Sequence, residues 1–212
     1  MIRYLYASQL SAHPTLARTM FEDRAEQFRE RLQWEVDVDQ NGWERDQYDI
    51  VNPLYLIWEN ADGTHGASMR VLPTVGRTMA NEVFAHMNAG VEIRGPFIWE
   101  CTRFCISPRA GCDQKRVAGA LMLGGQELGL RFGLRQAVGV YDYRMTRIYR
   151  GIGWVPELVG TCGTGRDRIC LGLWPFGPEI RDQIAEKAGL PANIAEGWFD
   201  AAFPADAAVI AA

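Results

Sequence analysis

A mixed, mainly antiparallel sheet flanked by helices, an α/β fold of the α+β kind, is what this sequence predicts, and three observations predict it. Short apolar runs of strand length alternate with longer stretches of helical period. Two of those runs flank Asn60-Ala61-Asp62-Gly63, where Asp-Gly is a strong hairpin signal that pairs neighbouring strands antiparallel. No repeat or low-complexity tract interrupts the order, so the chain reads as helices packing against one sheet.

In chain order, Ile2 to Tyr6 alternates loosely and reads as a first strand. Pro14 suits a first helical turn, and Leu16, Met20, Phe21, Phe28 and Leu32 continue the period to Leu32. From Gln33 to Asn52 no period holds, and about twenty residues of mixed acidic and aromatic character are long for an idle loop. Leu54–Glu59 and Gly66–Leu72 form the hairpin, which Pro73 stops. A short helix is expected over Asn81–Met87, then a strand from Phe97 to Ile106 that Ser107-Pro108 ends. Asp113 is placed to cap a helix running to Phe132, with Val117, Leu121, Leu128 and Phe132 on one face and Gly124, Gly125 and Gly129 permitting close packing. Gln136–Tyr141 is a strand, Tyr143–Arg150 a helix, Ile169–Trp174 a last strand, and Pro178–Ala188 and Asn193–Ala202 terminal helices joined through Gly189 and Pro191.

With 212 residues, 48% of them hydrophobic, the chain suits one domain, 1–212, able to bury a sizeable core. No apolar run reaches the length of a membrane span and the N-terminus lacks the pattern of a signal peptide, so a cytoplasmic protein without a membrane partner is expected. Five cysteines, an odd number, show neither CxxC nor zinc-ligand spacing with histidine, which reads as free thiols and no metal. The net charge of -4 argues against nucleic-acid binding. Lys115, Arg116, Arg131, Arg135, Arg144, Arg147, Arg150, Arg166 and Arg168 nevertheless load the second half with cations, either scattered in solvent or gathered as a patch for an acidic partner.

The strand Phe97–Ile106, FIWECTRFCI, carries Glu100 and Arg103 where a core run is expected. An unpaired ion taken out of water costs several kcal/mol, so these two must pair or face a polar cleft. Arg24, the Asp46 and Asp49 of WERDQYD, and the Arg70 of SMRVLP could supply partners. Successive strand residues alternate faces, so Glu100 and Arg103 share a pocket only if a bulge lies between them.

The ordered set Arg24, Phe28, Trp34, Asp46, Asp49, Arg70, Glu100 and Arg103, with the SMRVLP and WECTRF contexts, resembles the signature of the acyl-homoserine lactone synthases, the LuxI-type autoinducer synthases. That resemblance implies a GNAT-like acyltransferase fold. It implies two substrates, S-adenosylmethionine and an acyl thioester on acyl carrier protein or coenzyme A, and no cofactor. The amine of S-adenosylmethionine would attack the thioester carbonyl and its carboxylate would then close on its own side chain. Acyl-homoserine lactone, methylthioadenosine and the free carrier thiol would leave, the lactone serving as a quorum-sensing signal. Residues 1–52 would then be a partly mobile substrate-binding portion and 178–212 a helical extension.

The chemistry of the residues agrees. An ammonium cannot attack until it loses a proton, and Glu100 is the candidate base, provided burial raises its pKa; alternatively it only anchors Arg103 and Arg24. Asp46 suits a cationic substrate, and Asp49 suits Arg24 or Arg70. Arg70 either clamps the substrate carboxylate or neutralises the aspartates. Phe28 and Trp34 are core residues or walls for a sulfonium or adenine. The resemblance adds backbone donors near Arg103 and Phe104 as stabilisers of an oxyanion.

Two departures from the family pattern bear on the acyl donor. The glycine-rich pyrophosphate turn of GNAT enzymes is matched only in part, by Arg116-Val117-Ala118-Gly119-Ala120-Leu121, so Lys115, Arg116, Arg147 and Arg150 are the candidate carrier contacts. Where members preferring 3-oxo chains often have Thr, this chain reads Val140-Tyr141-Asp142-Tyr143, which suggests a short, branched or aromatic acyl group. Met122, Tyr141, Tyr143, Met145 and Trp154 are the candidate acyl pocket. An ordinary GNAT N-acyltransferase and a non-catalytic thioester- or nucleotide-binding module are the competing expectations.

Overall fold

The computed structural model describes residues 1–110, 114–191 and 193–204. Its centre is a seven-stranded sheet made of β1 (Ile2–Tyr6), β2 (Leu54–Glu59), β3 (His65–Pro73), β4 (Ile98–Ile106), β5 (Gln136–Asp142), β6 (Glu157–Cys162) and β7 (Ile169–Pro175), in the order β1-β2-β3-β4-β5-β7-β6. Every neighbouring pair is antiparallel except β4 and β5. That parallel pair is joined for only three positions, Ile98↔Gln136 to Glu100↔Val138, beyond which the two strands part. The opening in the sheet therefore starts at Glu100.

The helices are α1 (Pro14–Ala25), α2 (Met79–Glu82), α3 (Gln114–Arg131), α4 (Met145–Ile152), α5 (Pro178–Ala188) and α6 (Ile194–Ala202). One sheet face supplies Ile2, Leu54, Leu56, Ala67, Met69 and Val71 to a large apolar core shared with α3, α5 and α6. The opposite face supplies Leu5, Tyr55 and Ile57 to a smaller core under α1. Alternation within β2 and β3 thus gives each strand two buried faces.

Sequence and structure differ at definable places. The helix expected through Leu32 changes at Glu26 from α to π winding over Glu26–Arg31, a local insertion often found at functional sites. The helix expected at Asn81–Met87 is divided between α2 and a 3₁₀ turn at Ala85–Asn88. Strand β6 lacks an apolar period because it is an edge strand whose residues are exposed or half-buried, and so it went unexpected. The cap expected at Asp113 lies outside the described residues. Close packing by the α3 glycines is present: a Cβ on Gly129 would stand 2.2 Å from Phe176, and one on Gly125 would stand 2.6 Å from Met69 Cε.

Candidate active site

The bulge that would bring Glu100 and Arg103 to one face is present in β4. Between Ser68↔Cys105 and Arg70↔Thr102 the register slips by one residue, and Arg103 takes the left-handed conformation with φ 54°. Trp99, Cys101, Phe104 and Ile106 consequently pack against the large core. Glu100, Thr102 and Arg103 face α1 and α2 instead, and both Glu100 and Arg103 reach Met79: its N–H donates to Glu100 at 3.1 Å and its Sδ lies 3.8 Å from Arg103 Nη1.

On this face three guanidiniums and three carboxylates interlock. Arg24 grips Asp49 bidentately at 3.0 and 3.1 Å and reaches Glu44 at 2.6 Å. Arg70 grips Asp46 at 2.5 and 2.9 Å, reaches Asp49 at 2.8 Å, and donates through Nε to the Thr102 hydroxyl at 3.1 Å. Arg103 bridges Glu44 at 2.9 Å and Asp46 at 2.8 Å. The Tyr55 hydroxyl donates to Asp49. Bidentate Arg–carboxylate geometry and matched charge offset the desolvation of Arg24, Glu44, Asp49 and Arg70, which are buried, while Asp46 and Arg103 keep some exposure. Burial alone would raise the Asp49 pKa, but Arg24 and Arg70 hold it well below the ordinary carboxylate range.

Glu100 stands outside this balanced set. It is 1% exposed and accepts from the N–H groups of Ala80 at 2.5 Å and Met79 at 3.1 Å. Burial outweighs those two donors, and its pKa is pushed up to about 7. A carboxylate poised there is half-ionised near neutrality, where a general base works best.

Phe28 is buried and stacks on Trp34 with ring centroids 5.2 Å apart and planes 4° from parallel, while Arg103 lies over the Phe28 ring at 5.6 Å. Trp34 is 40% exposed, so its outer surface is open to a planar or cationic ligand. Arg24, Phe28, Trp34, Asp46, Asp49, Arg70, Glu100 and Arg103 are thus brought to one region. Of the two sequence readings of Arg70, the geometry gives neutralisation of the aspartates, because each of its nitrogens already has an acceptor.

The ring of Phe104 does not join this group: the bulge at Arg103 returns it to the opposite face. Sequence reasoning passed over Glu44, which is 0% exposed and holds both Arg24 and Arg103. Its position two residues before Asp46 in the aperiodic WERDQYD segment was the available signal. It also passed over the Met79 and Ala80 amides, which no side-chain pattern announces.

Of the acyl-pocket candidates, Met122, Tyr141 and Trp154 are buried in the large core and Met145 packs against it. Tyr143 turns outward, 46% exposed with the Arg168 guanidinium over its ring, and so lies outside any buried pocket. Lys115 and Arg116 are exposed in the first turn of α3, and Arg147 and Arg150 are exposed on α4. Gly119 of the partial glycine motif serves helix packing, since a Cβ there would meet Ala188 of α5 at 2.5 Å.

Ser68, His65 and Asp23 form a chain of the hydrolase-triad kind, with Ser68 Oγ to His65 Nε2 at 2.9 Å and His65 Nδ1 to Asp23 Oδ2 at 2.7 Å. All three are at most 1% exposed, and burial lowers the His65 pKa. No substrate carbonyl can reach such a serine, so the chain serves to tie α1 to β3.

A mixed sheet flanked by helices that parts at its one parallel pair is a GNAT-like fold. The comparisons agree. The family model described as "Autoinducer synthase" matches residues 8–184. An acyl-homoserine-lactone synthase of Rhizobium etli is 40% identical over 179 residues, covering 82% of this chain and 84% of that protein. Among solved structures, TofI in a ternary complex with an inhibitor and MTA is 25% identical, with TM-score 0.72 over 91% of this chain and 98% of that one. The CoA-dependent acyl-homoserine lactone synthase BjaI, solved with SAM and isopentyl-CoA, shares the fold with TM-score 0.79 at 23% identity, over 90% of each chain. The chain belongs to the autoinducer synthase family. As a member it is an acyltransferase enzyme, an acyl-homoserine-lactone synthase that makes a quorum-sensing signal. Among the described residues no helix is long and apolar enough to cross a membrane.

Proposed function

We propose that this synthase acylates S-adenosylmethionine from an acyl thioester seated in the opening between β4 and β5, with Glu100 as general base. The observation carrying this assignment is Glu100 itself, buried at the fork with a pKa pushed up to about 7 and held by two backbone amides. The three arginines and three carboxylates beside it sum to zero charge, so an ionised Glu100 leaves the site one negative charge. S-adenosylmethionine, with ammonium, sulfonium and carboxylate, carries the complementary net positive charge.

In this reading Trp34 and Phe28 wall the sulfonium and adenine side. Asp46 meets the substrate cation, since its side chain is 12% exposed whereas those of Glu44 and Asp49 are 0% and 3% exposed. Glu100 takes a proton from the ammonium. The freed nitrogen lone pair then forms the bond to the thioester carbonyl carbon, and collapse of the tetrahedral intermediate breaks the carbon–sulfur bond. The carrier leaves as a thiolate that takes up the proton the acylated nitrogen gives up as the amide forms. The substrate carboxylate next attacks the carbon bearing the sulfonium, closing the lactone and expelling methylthioadenosine. Arg103 anchors Asp46 and Glu44 and touches no reacting atom. Lys115, Arg116, Arg147 and Arg150 would meet the phosphates of the carrier, whether coenzyme A or acyl carrier protein.

The test is purified protein with S-adenosylmethionine and acyl thioesters on both carriers, followed for methylthioadenosine and lactone. Lactone from at least one donor is the expected result. Failure with all donors, alongside acetylation of a simple amine, would assign the chain to ordinary N-acyltransferases.

A further inference from the structure

Each turnover of the reaction set out above leaves one proton behind. S-adenosylmethionine enters with one net positive charge, which the lactone, methylthioadenosine and the carrier thiol do not carry away. Of the two protons the nitrogen loses, one goes to the departing thiolate and the other stays on Glu100. That carboxyl is 1% exposed, so the proton needs a way out before the next ammonium can be deprotonated. While substrates or products fill the opening between β4 and β5, that side is shut. A second side exists where α2 begins. Thr78 has the extended backbone of a helix-capping residue, yet its side chain makes no cap bond, and the first two amides of the helix, those of Met79 and Ala80, donate to Glu100 instead. The Thr78 hydroxyl and the Glu100 carboxylate thus attend the same helix end, and the hydroxyl is left buried without a hydrogen-bond partner. Thr78 also lines a cleft of about 270 Å³ whose walls include Arg77, Glu82, Glu92 and Arg94. The side chains of Arg77, Glu92 and Arg94 are more than half exposed, so the cleft opens to bulk water. We propose that Thr78 relays the catalytic proton from Glu100 to this cleft, its hydroxyl taking a proton through one water on the Glu100 side while giving its own to water in the cleft. Only O–H bonds break and form, and the hydroxyl ends the step as it began. The proposal rests on the synthase reading and on Glu100 as its base.

Three features favour this route. A buried hydroxyl without a partner is costly, and a valine of the same shape would avoid the cost, so its place beside the base asks for a use. The charged lattice on the other side of Glu100 offers no exit. Its carboxylates are all held by guanidiniums: Glu44 by Arg24 and Arg103, Asp46 by Arg70 and Arg103, Asp49 by Arg24 and Arg70. Tyr48 carries the other hydroxyl within the field of Glu100, but it already donates to Glu82 at 3.0 Å, and burial with that carboxylate pushes its pKa up to about 12. The Thr78 hydroxyl, by contrast, has no bond to break before it turns from one water to another. Thr78 touches no reacting atom and acts only through Glu100.

The experiment follows proton appearance with an indicator dye, beside lactone and methylthioadenosine, in single and repeated turnovers on whichever carrier supports the reaction. Thr78→Val keeps the shape and removes the hydroxyl. Its first lactone should form at the wild-type rate, whereas proton appearance and steady-state kcat should fall by about tenfold, with the KM for S-adenosylmethionine within about twofold. Imidazole, a proton carrier small enough for the cleft, should restore turnover in Thr78→Val and leave the wild type unchanged. Thr78→Ser retains the hydroxyl and should match the wild type, and Thr78→Ala should repeat the valine result if valine is not accommodated. A hydroxyl kept only for structure would give none of this pattern. Proton appearance at the wild-type rate in both Thr78→Val and Thr78→Ala, with Glu100→Gln inactive, would overturn the relay and leave the synthase reading standing. Full turnover by Glu100→Gln would remove the base and the relay together. No methylthioadenosine release by the wild type with any donor would overturn the synthase reading itself.

Discussion

The two faces of β4 obey opposite rules of burial. One face sets Glu100, Thr102 and Arg103 among buried charges, while the other sets Trp99, Cys101 and Phe104 against an apolar core. The charged face is a directional lattice in which each guanidinium has specified acceptors, so one substitution strands a partner in a medium where unpaired charge is costly. The apolar face is held by area and shape, and tolerates exchange as long as volume is kept. The first face therefore concentrates the ionisable groups and the second the apolar packing, and the two meet where the strands part.

The sharpest way to break this division is Glu100→Gln. It keeps the shape and removes the base, so turnover should fall by about 10² to 10⁴, with the thermal midpoint below about pH 5, where Glu100 is protonated in the wild type, nearly unchanged. Unaltered turnover would reduce Glu100 to an anchor for the Met79 and Ala80 amides. Next in size is Arg70→Met, which leaves Asp46 and Asp49 short of a buried partner. Unfolding measurements should register a loss of about 3 to 5 kcal/mol, and a loss below 1 kcal/mol would show that the lattice is not cooperative.

These contrasts also explain what the sequence disclosed. Helix α5 was legible to the residue because its signals are local: Pro178 opens it and Gly189 closes it with φ 64°. The charged face was legible because charges in a core strand stand out, and the β4 bulge followed from strand period once Glu100 and Arg103 were placed in one pocket. Glu44 was not, since its worth depends on Arg24 and Arg103 arriving from 20 and 59 residues away. Strand period required a bulge without fixing its residue; the break at Thr102 and Arg103 sets the Phe104 ring on the core side, on which its expected role through the backbone does not depend. A small apolar cavity behind β4, with Met69, Trp99, Cys101, Gly125, Trp154 and Phe176 in its lining, was illegible because its walls come from strands, a helix and connecting segments far apart in the chain.

Acid–base behaviour separates two groups on the charged face itself. Glu100 has its pKa raised to about 7 in the fold, so the folded protein retains a proton that the unfolded chain has lost. Its contribution to stability is complete below the ordinary carboxylate pKa and is lost as pH rises toward 7, a change of up to roughly 3 kcal/mol. Asp49 behaves oppositely, stabilising above the ordinary aspartate pKa and losing that effect in acid. Chemical denaturation between pH 4.5 and 7.5 should show wild-type stability declining, and Glu100→Gln should flatten the decline. Activity should rise over the same range as the base ionises, with an inflection near 7. A decline identical in the variant would mean that another group carries the effect.

Trp34 offers the smallest effect and the finest distinction. Its stack on Phe28 is parallel and close, yet 40% of its surface stays open. A residue kept there for packing would contribute mainly to stability, whereas a wall for a planar, cationic substrate would contribute mainly to binding. Trp34→Ala should raise the KM for S-adenosylmethionine by about threefold to tenfold, the range of a single exposed cation–π or stacking contact. It should leave kcat within about twofold and stability within about 1 kcal/mol. If stability falls by more than that and KM does not move, Phe28 and Trp34 belong with the packing of α1, and the ligand-binding surface of the charged face contracts to Asp46 and its arginines.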